Sequence, residues 1–500
     1  MARTSIVVAM THDILIIGAG PAGLATAISA ARSGGRVLVV ERHSGTSIFP
    51  RATGVNTRSM EIFRSWGLVD QVRAGELGVR PLCSVSPTLR TALADGLPVG
   101  FPTDPRTVLA RSPVLPACIP QDHIEPVLLD HLRLLGGEVR FGVELVELTD
   151  RADGVHAVLR DRTTGTAERV HARFVVGADG PRGDVRRALG IGLTHLGTLG
   201  RFVNVIFRAD LDAVVGDRRY GLYIIENPDA GGVLLPVGPG RWCYSRQWFP
   251  ERGESVEDLT PSRCVELIRA AVGVADLEVQ VLARLPFVMA AELADAFRAG
   301  NGFLVGDAAH RMTPVGGVGM NTALAAGHNL GWKLAWVACR WAGPELLDSY
   351  ELERRVPGEY RARRSLQMGG PPERDPLGED LGVRYASAVV ATDAGERAPH
   401  AWVTVDGRRR STLDLFDGRL TLLVGRGADA WRAAADEVAG GPPLAVVDVA
   451  DALAEYLRGG AVLVRPDGHV AWRAAASEHA QLRAALDLAL GRVAAVSRAA

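Results

Sequence analysis

Three glycines near the amino terminus carry the first chemical signal. In "ILIIGAGPAGLATAISAARSGGRVLVVER", residues 14–42, Gly18, Gly20 and Gly23 fit the spacing G-x-G-x-x-G. The first permits a tight turn, the second lets backbone approach a pyrophosphate, and the third lets a helix pack on a strand. The helix that follows offers free amides and a partial positive charge at its start. Glu41 lies 18 residues after Gly23, at the end of the next strand, where a carboxylate reaches ribose hydroxyls. An acid there disfavours a 2′-phosphate, so the spacing predicts the ADP part of FAD or NAD.

A second constellation lies far downstream, in "GNGFLVGDAAHRMTPVGGVGMN". A strand delivers Asp307 to its carboxyl edge, where doubly wound sheets bind ligands. Aspartate there can accept hydrogen bonds from a polyol such as a ribityl chain. Pro314, Gly316, Gly317 and Gly319 then form a loop whose backbone can press on a flat ring. A helix from about Met320 favours negative charge on that ring. The third stretch, "FVVGADGPRGDVRRALGI", ends a strand at Asp179-Gly180 with Arg182, Arg186 and Arg187 behind it. From the residues alone it reads equally as a solvated turn or as a ligand contact.

The elements that must position these groups are legible in the hydrophobic pattern. Residues 13–42 form a β-α-β unit, a helix spans about 56–65, and another starts near Asp122 and leads to a strand at 138–142. A strand, turn and strand over 155–172 precede a buried strand at 173–177. From about 200 to 285, short alternating runs predict an antiparallel sheet with one covered face. Its aromatic residues Tyr220, Tyr223, Trp242, Tyr244 and Trp248 are either core or a flat surface for a polycyclic ligand. The stretch 369–380, "GGPPERDPLGED", reads as a linker. Beyond it the pattern is a small α/β unit without cysteine.

With 500 residues the chain needs two or three domains. A net charge of −1 gives no electrostatic reason for nucleic acid or an anionic membrane as partner. Lys333 is the only lysine. Five scattered cysteines without metal-like spacing predict free thiols, no metal site and a reducing, cytoplasmic setting. The opening "MARTSIVVAMTH" is too short an apolar run for a signal peptide, and no stretch approaches a membrane span.

Taken together and in this order, the three stretches resemble the GxGxxG, DG and GD motifs of the class A flavoprotein aromatic monooxygenases, the p-hydroxybenzoate hydroxylase type. The tail "GERAPHAWV…STLDLF…AVLVRPDGHVAWR" resembles that of the bacterial polyketide hydroxylase and rebeccamycin-pathway monooxygenase subgroup. The resemblance implies an α/β fold. A Rossmann-like FAD-binding domain (1–80, 112–198 and 286–368) is interrupted by an antiparallel-sheet substrate domain (81–111 and 199–285). A linker (369–391) and a thioredoxin-like domain without CxxC (392–500) follow. It implies ADP contacts from Gly18, Gly20, Gly23, Glu41 and Arg42, and flavin contacts from Arg51 and Gln121. Asp307 would bind the ribityl chain, with Pro314, Gly317, Gly319, Met320 and Asn321 under the ring system. Asp179 and Arg186 would serve FAD and NAD(P)H. One departure is Gly183-Asp184, where the family usually has serine before the arginine; this bears on the pyridine-nucleotide contact.

The implied activity is a cycle in which NADPH or NADH reduces FAD, O₂ adds at flavin C4a to give a hydroperoxide, and one oxygen passes to an electron-rich polycyclic aromatic. No general base stands out: Arg51 is the one catalytic candidate, and His310 reads as framework. Baeyer–Villiger insertion or oxidative cleavage, an oxygen-independent flavin dehydrogenase, and a non-catalytic flavin-bearing binding protein are the rival readings. A monomer and a homodimer are both compatible with the sequence.

Overall fold

The computed structural model describes residues 12–92, 95–98, 102, 104–367, 375–425, 427–438, 441–449, 451–476 and 478–492. The opening eleven residues, up to Thr11, and residues 369–374 of the expected linker, lie outside them. In chain order the main elements begin with β1 (His12–Ile17), α1 (Pro21–Arg32), β2 (Val37–Glu41), α2 (Thr57–Ser65) and β3 (Arg80–Ser86). Then come α3 (Gln121–Leu134), β4 (Glu138–Phe141), β5 (Val143–Arg151), β6 (Gly154–Asp161) and β7 (Ala167–Gly177). The middle holds β8 (Leu193–Arg208), β9 (Tyr220–Ile225), β10 (Gly232–Gly238), β11 (Arg241–Trp248), α4 (Pro261–Val272) and β12 (Gln280–Ala294). The last third contains β13 (Gly302–Leu304), α5 (Gly319–Ala338), α6 (Glu345–Arg364), α7 (Pro376–Leu381), β14 (Leu420–Val424) and α8 (Ala428–Glu437). It ends with β15 (Leu444–Asp448), β16 (Ala461–Val464), β17 (Val470–Ala474) and α9 (Leu482–Ala489).

The first sheet runs β13-β7-β1-β2-β4, all parallel. Its central strands are near-continuous apolar runs because both of their faces are buried. On one face α1 and α5 cross closely. A Cβ on Gly327 or Gly331 of α5 would meet backbone oxygens of α1 at 2.6 and 2.3 Å, so only glycine allows that approach. The expected break between 172 and 173 is absent. β7 is one strand whose first half pairs antiparallel with β6 in a β5-β6-β7 meander and whose second half joins the parallel core. No glycine or proline interrupts "ERVHARFVVG", so nothing stops the strand.

The second sheet runs β12-β8-β11-β10-β9-β3, antiparallel except for the parallel β9–β3 pair. β8 and β12 are long and shared, with irregularities that bend them, and they lead from one sheet to the other. α4 packs against one face and forms a separate core with Val203, Val205, Phe207, Tyr223 and Trp242. In the carboxy-terminal third the sheet order is β15-β14-β16-β17, with β14–β15 parallel and the rest antiparallel. The expected linker is only partly one: residues 376–381 form α7, whose Leu377 and Leu381 pack on Val108.

The carboxy-terminal sheet shares one continuous core with the first sheet. At the junction, Lys333 Nζ and the Arg465 guanidinium meet the Glu353 carboxylate at 2.7 and 2.6 Å, and Arg465 also holds Asp467 at 2.5 Å. All four side chains are fully or almost fully buried. Arg64 adds a two-pronged bond to Asp414 at 2.6 and 2.8 Å. Among the described residues no helix is long and apolar enough to cross a membrane, and all five cysteines are unpaired.

Candidate functional site

The turn after β1 sets the site's first wall. Gly18 has φ +111°, and a Cβ there would sit 2.3 Å from the Ala178 carbonyl oxygen. A Cβ on Gly23 would lie 2.0 Å from the Gly18 carbonyl oxygen. Both glycines close the turn upon its neighbours. Gly20 differs: a Cβ there would meet no atom within 4 Å. The space beside the first amides of α1 is therefore open. It forms one end of a continuous cleft of about 2160 Å³ between the two sheets.

Glu41 closes β2 at the cleft edge. One carboxylate oxygen accepts from Ala19 N at 3.0 Å and the other from His43 N at 2.9 Å. It is thus fixed across the glycine turn before any ligand arrives. Further in, the loop carrying Arg51 is pinned to α3. Ser47 N donates to Glu125 at 2.6 Å, Gln121 Nε2 donates to the same carboxylate at 2.7 Å, and Gln121 N donates to Ala52 O at 2.8 Å. Burial pushes the Glu125 carboxyl up, against the opposing effect of these hydrogen bonds and of Arg51.

Asp307 follows β13 in a short turn and presents its carboxyl to the depth of the cleft. Enclosure raises its pKa, with Arg311 and Arg51 acting against that shift. The Pro314–Gly319 loop enters with Gly316 and Gly317 at φ +82° and +62°. Here too a Cβ on Gly319, at the start of α5, would meet nothing within 4 Å. Across the cleft, Asp179 spends one oxygen on Val185 N at 2.9 Å, while its other oxygen is buried without a partner. Two helix starts with cleared approaches, fixed or unspent carboxylates and room for an extended molecule make a donor set that fits a dinucleotide such as FAD.

Comparison with known proteins follows the same division. Residues 11–365 match the family described as FAD binding domain, and residues 391–493 the one described as aromatic-ring hydroxylase, C-terminal. The chain belongs to the FAD-dependent aromatic-ring hydroxylases. It is 40% identical to an aklavinone 12-hydroxylase of Streptomyces peucetius, over 84% of this chain and 92% of that one. It is 37% identical to a putative polyketide hydroxylase of Streptomyces halstedii, over 92% and 93%. Among solved structures, the ternary complex of aklavinone-11 hydroxylase with FAD and aklavinone superposes with a TM-score of 0.85 at 35% identity, covering 96% and 99%. The rebeccamycin biosynthetic enzyme RebC gives 0.82 at 32%, covering 96% and 99%.

In this hydroxylase the cleft brings together Gly18, Gly20, Glu41, Arg42, Arg51 and Gln121 from the first half of the chain. Asp179, also from the first half, and Asp307, Pro314, Gly317, Gly319 and Met320, from the second, join them. Three residues expected in the cofactor site stand behind it. Gly23 is a spacer under the turn. Asn321 is a pin, donating to Gly54 O and Gly317 O at 3.0 and 2.8 Å and accepting from Asn56 N at 3.0 Å. Arg186 turns away to the Ile191 carbonyl at 2.9 Å, because the left-handed Gly183 reorients the turn before it.

Of the two readings open for the aromatic residues of the second sheet, the structure selects core over substrate contact. Tyr220, Tyr223, Trp242 and Tyr244 are all buried in the core beneath α4, on the face opposite the cleft. Their hydroxyls are internal ties: Tyr223 donates to Arg218 O at 2.5 Å, and Tyr244 to Ala230 O at 2.9 Å. Trp248 shares their parity on β11 and is half-buried beside Arg201. The cleft face carries the alternate residues instead, among them Phe202, Asn204, Leu222, Ile224, Ser245 and Phe287. Their signal was the alternation itself: Asn204 and Ser245 are polar where Val203 and Tyr244 are not. His310 is 1% exposed and packed on Phe297, and burial pushes it down to about 3, so it is neutral framework.

Proposed function

We propose that this hydroxylase oxidises an electron-rich ring of a polycyclic, polyketide-like aromatic with O₂ and NADPH or NADH. The observation that carries this reading is the cleft's second half. It is a broad, mainly apolar chamber floored by β8–β11 and open without a partition to the dinucleotide half. The relatives named for aklavinone and tetracenomycin support the same substrate class. Bound FAD supplies reductive activation of O₂ and delivery of one oxygen atom.

The chain's own residues position and enclose. Glu41 and Arg42 hold the adenosine end, Gly20 leaves room for the pyrophosphate, and Asp307 binds the ribityl hydroxyls. The amides at the start of α5 favour negative charge on the ring system beside them. Phe202, Leu222, Ile224 and Phe287 displace water from the aromatic substrate and align its face. Arg51, exposed along the cleft, is placed to steady an ionising phenol. With His310 neutral and buried, proton removal falls to the substrate's own acidity rather than to an imidazole. Residues 81–111 and 199–285 act as the substrate part and 392–500 as a docking part, in a monomer or homodimer. The unpaired thiols suit a cytoplasmic location.

Incubation with NADPH and ¹⁸O₂ against a panel of anthraquinone- and tetracene-type phenols tests the reading. The expected product gains one labelled oxygen as a hydroxyl. Label in a lactone would replace hydroxylation by Baeyer–Villiger insertion, and turnover under argon with no label would replace it by dehydrogenation.

A further inference from the structure

Away from the cleft, the β5-β6-β7 meander carries two histidines that are distant in the chain and adjacent in space. The register of β6 and β7 sets His156 directly opposite His171. Both side chains therefore leave the same face, at the close range of a cross-strand pair. Their rings stack, with centroids 4.3 Å apart and planes inclined by 12°. The turn between β5 and β6 brings Asp153 to the same place. Its close approach depends on Gly154, at φ +129°, where a Cβ would lie 2.5 Å from Ala172 O and 3.2 Å from His171 Nε2.

Three donor groups thus converge. His156 Nε2 lies 3.2 and 3.3 Å from the two Asp153 carboxylate oxygens. His171 Nε2 lies 3.9 Å from one of those oxygens and 3.3 Å from the Asp153 carbonyl oxygen. One ligand atom from each residue falls within 4.8 Å of the other two. Among the described residues no other three histidines, cysteines or acids are gathered in this way, and the Asp153 carboxylate pairs with no arginine. Contact with His156 holds the Asp153 carboxyl below its ordinary range, so it is an anion at neutral pH. Zinc bonds of about 2.0–2.2 Å put neighbouring ligand atoms of a tetrahedral ion about 3.3–3.6 Å apart, close to the spacing already present. Two imidazoles and a carboxylate suit zinc, whereas magnesium and calcium take oxygen ligands. Parallel rings cannot both aim a lone pair at one ion, so one must tilt. His156 has the room: its side chain is 37% exposed, against 17% for His171. The same exposure gives an ion its path from solvent.

We propose that Asp153, His156 and His171 bind one zinc ion through a carboxylate oxygen and two Nε2 atoms, with water as the fourth ligand. The ion clips the β5–β6 turn to β7, the strand that runs on through the parallel core towards Asp179 at the cleft. Cysteine spacing carries no sign of this site, because strand register rather than a sequence motif assembles it.

Crystals of the untagged holo-protein soaked in zinc chloride, measured on both sides of the zinc absorption edge, give the direct test. An anomalous peak among the three side chains, about 2.0–2.2 Å from each donor, is the expected result; no peak there overturns the proposal, wherever else zinc binds. In solution, chelator-treated holo-protein should take up zinc saturably in a calorimetric titration and show no such response to magnesium. His156→Gln and His171→Gln should each weaken the tightest zinc uptake about tenfold or more, while His195→Gln, at an exposed histidine elsewhere, leaves it unchanged. Undiminished affinity in His171→Gln overturns the proposal, and so does a crystal peak without saturable uptake, which marks an adventitious ion only. Flavin content and melting temperature without zinc should match the parent in each variant. Should a variant fail to fold, the anomalous map and titration of the unmodified chain decide.

Discussion

At the residue scale, the glycine turn separates folding from binding in a way a substitution can read. Gly20 has φ −78°, which alanine adopts freely, and its added methyl would touch no protein atom. Gly20→Ala should therefore leave the apo-protein's stability within about 0.5 kcal/mol. It should raise the FAD dissociation constant tenfold or more, about 1.4 kcal/mol, because the methyl fills the pyrophosphate's place. Gly18→Ala should do the reverse, lowering stability through backbone collision before any ligand is offered. Thermal melting of apo-protein beside flavin fluorescence titration distinguishes the two, and equal damage by both substitutions would contradict the assignment. Single residues also set the acid limit. His310, His328 and His469 are each pushed by burial from 6.5 down to about 3, so the folded state keeps them neutral while the unfolded chain protonates them. Their contribution is complete above pH 6.5 and drains away as pH falls towards 3, at roughly 1 kcal/mol per histidine over the first pH unit. Urea midpoints should fall steeply from pH 6.5 to 5.5, and restoring a hydrophobic side chain at one of these positions, as in His310→Leu, should flatten that slope.

Among the elements, the legible ones were those whose hydrophobic period reports their own burial. β1, α1, β2 and β13 announce themselves because a parallel sheet buries both faces and its phosphate-facing turn requires glycine. The second sheet was legible as a sheet, yet which of its faces meets the ligand stayed open, its aromatic residues reading as either core or ligand surface. Period-two alternation says that one face is covered and gives no sign of whether α4 or a ligand covers it. The large aromatics Tyr223, Trp242 and Tyr244 went to the permanent core, where dense packing rewards them, and the cavity received smaller and more polar alternates such as Asn204 and Ser245. Glu125, which holds Gln121 and the Arg51 loop, was missed although it stands one helical turn after Gln121. A charged residue on a helix reads as solvent-facing until the loop above it is known. The two faces of the sheet should respond differently. Tyr223→Phe leaves Arg218 O and Tyr220 N without their shared hydroxyl and should cost about 1–3 kcal/mol of stability, with KM for the aromatic substrate unchanged. Asn204→Leu, whose amide oxygen is buried without a partner at the cleft wall, should leave stability nearly intact and shift KM. A KM change confined to Tyr223→Phe would return the aromatics to the substrate side.

For the molecule as a whole, the carboxy-terminal unit looks separable in sequence but is not separable in the fold. Its core is continuous with that of the first sheet, and its Arg465 and Asp467 complete an ion cluster begun by Lys333 on α5 and Glu353 on α6. Burial pushes Glu353 up, but Arg465 and Lys333 outweigh it and hold the carboxyl down at about 2. Burial in turn lowers Lys333 to about 8. A buried cluster of this kind contributes little net stability against well-packed apolar residues, yet removing one member strands the others. Arg465→Met should therefore destabilise the hydroxylase by about 3–5 kcal/mol, and most of that loss should be recovered when Glu353→Gln and Asp467→Asn accompany it, which leaves Lys333 free to lose its proton beside Ser349. Because α5 also forms the floor of the cofactor site, the single substitution should weaken FAD retention, whereas the triple variant should keep its flavin. Denaturant melts of the holo-proteins, with bound flavin measured on the same samples, report both quantities. Full stability in Arg465→Met, or a triple variant no better than the single one, would mean that the carboxy-terminal unit is held by its apolar core alone and that the charges at the junction are passengers.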